Sequence, residues 1–178
     1  MLVGSIGTSK EKEYGSVLAP YLADPATFFV VSSDFCHWGL RFSFTYYEGP
    51  AQVGGSQPAG QSLKRGSQTP SHHPIHASIE QVDRAGMACI QFSPTSATAA
   101  ASHDQFAAYL KRTRNTICGR HPIGVLLGAI AKLQESSDSS WQNMKLVWTR
   151  YEQSSQCIDI KDSSVSYASA FVAPAETA

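Results

Sequence analysis

Phe28-Phe29-Val30-Val31-Ser32-Ser33-Asp34-Phe35-Cys36-His37-Trp38-Gly39 sets an apolar, strand-like run directly before an aspartate, a cysteine and a histidine. In open α/β sheets, side chains just past a strand end are held by the sheet yet stay within reach of a ligand. Asp34 and His37 are therefore expected to converge on one small site. A carboxylate with an imidazole suits a divalent metal or a general acid/base pair, while Cys36 points away. The plainer reading has Asp34 closing a turn, His37 satisfied by a backbone carbonyl and Trp38 filling core.

Working outward, Met1–Ile6 reads as a buried strand. Thr8 with Glu11 has the form of a capping box, and Tyr14, Val17, Leu18, Tyr21 and Leu22 recur at helical spacing behind it. This helix is expected to lead into a strand over Thr27–Ser33. Helical spacing returns in Ile75, Ile79, Val82 and Met87–Ile90, then in Phe106, Tyr109 and Leu110 behind a Ser102/Gln105 cap. A further helix has Pro122 in its first turn and is apolar over much of its circumference, which predicts burial. Met144–Tyr151 and Val165–Val172 read as strands. Strand, helix and strand in this order predict an α/β protein with a central sheet flanked by helices.

The chain has 178 residues, with 14 basic and 14 acidic side chains scattered rather than blocked. One domain over 1–178 fits this length. The balance of charge gives no reason to expect nucleic acid or an anionic membrane as partner. No apolar run approaches the roughly 20 residues that span a bilayer. Cys36, Cys89, Cys118 and Cys157 form no C-x-x-C pair, which fits a reducing intracellular location. Residues 49–74 are rich in Gly, Ser, Gln and Pro and are expected to be a disordered insertion. His72, His73 and His76 at its end read as incidental rather than as metal ligands. Ser93–Ala101 has the same small-residue character.

Asn115-Thr116-Ile117-Cys118-Gly119-Arg120-His121-Pro122 puts a thiol at the start of the apolar helix. Helix N-termini favour a thiolate, and Arg120 and His121 add positive charge beside it. Cys118 is thus a candidate nucleophile or soft metal ligand, or else a small buried hydrophobe. The Ser-rich runs Gln153–Cys157 and Asp162–Tyr167 read mainly as turns.

VSSDFCHWG, TICGRHPIGVLL, YEQSSQC and DSSVSYA, in this order, resemble the Memo family, named for mediating receptor-driven cell motility. The resemblance runs to about Glu48 and again from about Ile75 to Phe171, and corresponds to the C-terminal part of a typical member. It implies a fold similar to class III extradiol dioxygenases, incomplete at the N-terminus. It also implies a cleft in which two histidines and a cysteine hold iron or copper. The cysteine corresponds to Cys118; the two histidines lie upstream of this sequence, so the implied metal binding is impaired or absent here. Asp34 and His37 correspond to polar cleft residues, the candidates for catalysis, and Trp38, Arg120 and His121 are the candidate binding residues.

The resemblance further implies an effector relaying signals from activated growth-factor receptor tyrosine kinases to the microtubule and actin cytoskeleton in cell migration. Its partners would be a phosphotyrosine segment of the receptor or an adaptor, and cytoskeletal regulators; its location would be cytoplasmic, with the nucleus as a second place. Without an arginine cluster, phosphotyrosine contact would fall to Arg41, Arg120 or main-chain amides. The alternative is a metal-dependent redox enzyme in which Cys118 and His37 bind the metal and Asp34 orients His37 or moves protons. A third reading is a thiol hydrolase with His37 or His121 as base.

Overall fold

The computed structural model describes residues 1–50, 60–136 and 139–175. Helix α1 (Thr8–Ala23) is followed by an extended segment, strand β1 (His37–Trp38), a 3-10 turn (Leu40–Phe42) and strand β2 (Tyr46–Tyr47). Then come β3 (Gln61–Ser62), α2 (Ile75–Ile90), α3 (Ala99–Thr113), α4 (Arg120–Gln134), the short α5 (Ser139–Gln142), β4 (Met144–Gln153) and β5 (Ser164–Pro174). β4 and β5 form a long antiparallel hairpin, and β1 pairs antiparallel with the other edge of β5, giving the order β1-β5-β4. β2 and β3 form a separate antiparallel pair. The α/β expectation holds as a mixed fold with antiparallel sheets.

Helices α2, α3 and α4 follow from their apolar periodicity. Their inner faces bury Val82, Phe106, Tyr109, Leu127 and Ile130 in the main core beside Phe35, Phe92 and Ile117. A second core gathers Trp38, Tyr47, Leu63, Ile75, Ile79 and Cys157 under the β2–β3 pair. Burial of these side chains is the main favourable term in holding the layers together.

Several sequence expectations are corrected. Met1–Ile6 forms no strand, and Met1 and Leu2 are exposed. Thr27–Ser33 is extended but belongs to no sheet. The Thr8/Glu11 capping box is not made: Gly7 is the N-cap of α1, and the Glu11 carboxylate reaches inward to His103 Nε2 at 2.9 Å and His121 Nδ1 at 2.7 Å. Two imidazole donors on a buried carboxylate outcompete a backbone N–H at the helix surface. They also hold the Glu11 carboxyl below its ordinary pKa, against the opposing pull of burial. Thr98, not Ser102, caps α3; Ser102 Oγ donates instead to Gln91 O at 2.6 Å.

Within the expected insertion, residues 60–74 are largely exposed but anchored to the second core through Leu63; 51–59 lie outside the described residues. Leu63 and His73 are buried there, Leu63 N donates to Thr45 O at 2.9 Å, and Tyr47 Oη donates to His73 O at 2.8 Å. A few anchoring side chains and backbone bonds order a segment whose average composition argues against order. His72 and His76 do not join His73 in any metal-binding group of three among the described residues.

α1 lies on α4 at close range through Gly15. A Cβ added there would stand 2.5 Å from Ala129 N and 2.8 Å from Val125 O, both backbone atoms that cannot swing aside. Gly15→Ala is therefore expected to part α1 from α4 and to lower the unfolding free energy by about 1–3 kcal/mol. Urea unfolding followed by circular dichroism reads the loss; an unchanged midpoint would show that the close approach does not constrain the fold.

Candidate functional site

Strand β1 and the start of α4 together position Asp34, His37 and Cys118. Phe35 N donates to Ser166 O at 2.8 Å and Ser166 N donates to Cys36 O at 2.9 Å, so the residues before β1 are pinned to β5. From the other side, the loop leading into α4 docks on the same stretch. Cys118 N donates to Asp34 O at 3.3 Å, Gly119 N donates to Ser33 Oγ at 2.9 Å, and His37 N donates to Thr116 Oγ1 at 2.8 Å. Gly119 is required by this contact, because a Cβ there would lie 2.7 Å from Ser32 O.

His37 is held with its Nδ1 3.1 Å from Phe35 O and 3.0 Å from Thr116 O. Two carbonyl acceptors make Nδ1 the protonated nitrogen, leaving Nε2 as the basic position. Nε2 faces Asp34 Oδ2 at 3.6 Å, too long for a hydrogen bond. Asp34 and His37 thus stand side by side at a partly open surface. The backbone satisfaction of His37 and the burial of Trp38 are those of the plainer sequence reading.

Cys118 is exposed, and its Sγ accepts the Asp34 N–H at 3.1 Å, with Ser33 Oγ 4.0 Å away. Among the described residues no imidazole nitrogen is hydrogen-bonded to Cys118 Sγ, so neither His37 nor His121 stands as its base. Burial raises the thiol pKa of Cys36 and Cys157, both fully enclosed, and of the half-buried Cys89. A thiol alkylator at pH 7.5 is therefore expected to modify Cys118 first, with Cys36 and Cys157 reacting only on unfolding. Peptide mapping of a time course checks the order; equal labelling of all four would contradict it.

The remaining candidates divide. Trp38, taken as a binding residue, is fully buried in the second core with Nε1 donating to Tyr46 O at 2.9 Å, so it touches no ligand. His121 is likewise removed from the cleft chemistry, because its Nδ1 is bound to Glu11. Arg120 is half-buried with Nη1 3.4 Å from Ile117 O and has no carboxylate partner among the described residues. Arg41 lies 4.9 Å over the Phe42 ring, which stands edge-on to His37 with centroids 5.4 Å apart. This rim of guanidinium, phenyl and imidazole joins Arg41 to the site. Arg41 is among the residues the sequence offers for phosphotyrosine, but its stacking on Phe42 beside His37 depends on the 3-10 turn after Gly39.

Comparison with known proteins decides the family. The Memo-like protein family model matches residues 1–171, nearly the whole chain. The chain belongs to the Memo family. It is 46% identical over 169 residues to Protein MEMO1 of Rattus norvegicus, and 45% identical over 169 residues to Protein MEMO1 of Homo sapiens. Each of these alignments covers 94% of this chain and 46% of the relative. It is 37% identical over 182 residues to MEMO1 family protein MHO1 of Saccharomyces cerevisiae, covering 97% of this chain and 50% of that protein. The chain thus spans about half the length of these curated Memo relatives.

The metal implied by the family resemblance can be tested against the donors present. Cys118 Sγ takes the Asp34 N–H, His37 Nε2 faces the Asp34 carboxylate, and no three His, Cys, Asp or Glu among the described residues make a metal-binding group. Iron and copper sites need more donors in a fixed shell than this. The residues described here do not fit an iron or copper centre by themselves. No described helix is long and apolar enough to cross a membrane.

Proposed function

We propose that this Memo-family chain is a signalling effector that recognises phosphotyrosine segments of activated receptor tyrosine kinases or their adaptors. In this role it relays the signal to the microtubule and actin cytoskeleton in cell migration, from a cytoplasmic location. The scaffold is taken to be related to class III extradiol dioxygenases, with the cleft used for recognition. The observation that carries this reading is the rim at the cleft: Arg41 on Phe42, Phe42 against His37. Arg41 is exposed and has no carboxylate partner among the described residues, so its charge is available to an anion. Arginine is the side chain best suited to a phosphate, through two parallel N–H donors, and an aromatic neighbour suits the tyrosyl ring.

Fluorescence anisotropy with a labelled phosphotyrosine peptide and its unphosphorylated twin tests the reading. The phosphorylated form should bind at least tenfold more tightly, and Arg41→Glu should remove most of that difference while leaving the circular dichroism unchanged. Equal binding of the two peptides, or an Arg41→Glu variant as selective as the parent, would sink the proposal.

A further inference from the structure

Lys64-Arg65-Gly66-Ser67 is a charge pattern that the site around His37 does not use. Lys64 and Arg65 are the only Lys, Arg, Asp or Glu side chains between residues 49 and 74. Ser67 is the one Ser or Thr of the sequence with a basic residue both two and three places before it. The four residues form a turn at the tip of the segment that runs between the buried Leu63 and His73. Ser67 N donates to Lys64 O at 2.9 Å and Lys64 N donates to Ser67 Oγ at 2.9 Å. Gly66 takes a φ of +88°, the left-handed value that a type II turn requires of its third residue. All four residues are exposed, and neither cation has a carboxylate partner among the described residues.

We infer that Ser67 is a phosphorylation site for a serine/threonine kinase that reads basic residues two and three places before the acceptor, and that the phosphate loosens residues 64–70 from the 158–160 loop. Kinases of this class select substrates by matching their own carboxylates to the substrate's cations, and Lys64 and Arg65 are free to meet them. Opening the turn to the extended form that such a cleft takes breaks only two surface hydrogen bonds. ATP is the co-substrate. The bond between its γ-phosphorus and the ADP oxygen breaks, a bond from Ser67 Oγ to that phosphorus forms, and the hydroxyl proton passes to the kinase's catalytic aspartate. Ser67 shares a groove of about 250 Å³ with Leu63, Ile158, Asp159 and Ile160. Phosphoserine carries about two negative charges at neutral pH, and beside an acidic side chain it disrupts by like-charge repulsion. Asp159 supplies that charge from the facing wall. Asp162 Oδ2 braces the wall by accepting Ile158 N at 2.9 Å and Asp159 N at 2.8 Å, so the turn is the part that yields. This inference goes beyond the phosphotyrosine reading and does not depend on it.

Incubation of the full chain with Mg·ATP and the catalytic subunit of cAMP-dependent protein kinase, an enzyme of this specificity, provides the test. Mass spectrometry is expected to find a single phosphate, on Ser67, added to the folded chain at least roughly tenfold faster than to the Lys64→Ala/Arg65→Ala double variant. Hydrogen exchange then compares the modified and unmodified chains. The bonded amides of Leu63, Lys64 and Ser67 should exchange at least roughly fivefold faster after phosphorylation. Asp159→Asn keeps the oxygen that accepts Lys161 N at 2.9 Å but removes the charge, and should abolish most of that gain. No phosphate on Ser67 of the folded chain, modification of Ser67 only after unfolding in urea, or equal rates in the parent and the double variant overturns the site. Unchanged or slower exchange after phosphorylation, as capture of the phosphate by the exposed Lys161 would give, overturns the loosening.

Discussion

Asp83→Ala is expected to lower the unfolding free energy by about 3–5 kcal/mol near pH 4, with the loss narrowing toward neutral pH. Asp83 is fully enclosed and is the common acceptor of Asn115 Nδ2 at 2.8 Å, Tyr151 Oη at 2.9 Å and Ser166 Oγ. Alanine leaves these buried donors without their partner. Ser166 is also the residue that pins Cys36, so the same substitution loosens the stretch carrying Asp34 and His37. Burial pushes the Asp83 carboxyl up to about 6 from its ordinary 3.8, against the hydrogen bonds that favour the charge. With the folded value above the unfolded one, this stabilisation is fully present below the ordinary pKa and is lost as pH rises through about 6. The wild type should therefore give up on the order of 3 kcal/mol at this one site across that window. Asp83→Asn should flatten the slope. Urea midpoints of the three proteins from pH 4 to pH 7.5 settle it; a parent whose stability rises through pH 4–6 while Asp83→Asn matches it would show that Asp83 does not titrate as described.

Glu11 acts in the opposite sense. Its folded pKa is depressed, so the clasp it makes with His103 and His121 contributes above the unfolded value of about 4.5 and is lost as pH falls below it.

Trp38→Ala is the second large effect, expected to cost about 3–5 kcal/mol. The indole is 0% exposed and lies among Cys36, Tyr47, Leu63, Ile79 and Cys157, so truncation leaves a cavity as well as an unpaired Tyr46 carbonyl. Because Leu63 belongs to the same cluster, residues 60–74 should become the first site of limited proteolysis in the variant. Trp38→Phe keeps most of the volume and should lose roughly half as much. A Trp38→Ala protein within about 1 kcal/mol of the parent would show that the indole does not hold the second core together.

The helices α2, α3 and α4 and the β4–β5 hairpin were legible because their signals are local: apolar residues at helical or alternating spacing. Thr27–Ser33 carries an equally strong local signal yet forms no strand, since strand formation needs partners that local composition cannot supply. The Glu11 capping box failed for a related reason. His103 and His121 are 92 and 110 residues away in sequence, and nothing near Glu11 announces them. In the site, the motifs placed Asp34, His37 and Cys118 near one another, and the structure brings all three to one loop junction. They could not tell that Trp38, adjacent to His37, turns the other way into core, because successive residues of a strand face opposite sides. They offered Arg41 only as one of several scattered groups, because its place over Phe42 depends on a single 3-10 turn.

The most direct test of recognition against redox chemistry is one phosphotyrosine-peptide titration carried out on the parent and on Cys118→Ser. Recognition through Arg41, Phe42 and His37 requires the two dissociation constants to agree within about twofold, since among the described residues the hydrogen-bond partners of the Cys118 thiol are Ser33 and Asp34. A loss of tenfold or more in Cys118→Ser, accompanied by loss of a metal-dependent oxygen uptake that the parent shows, would contradict it.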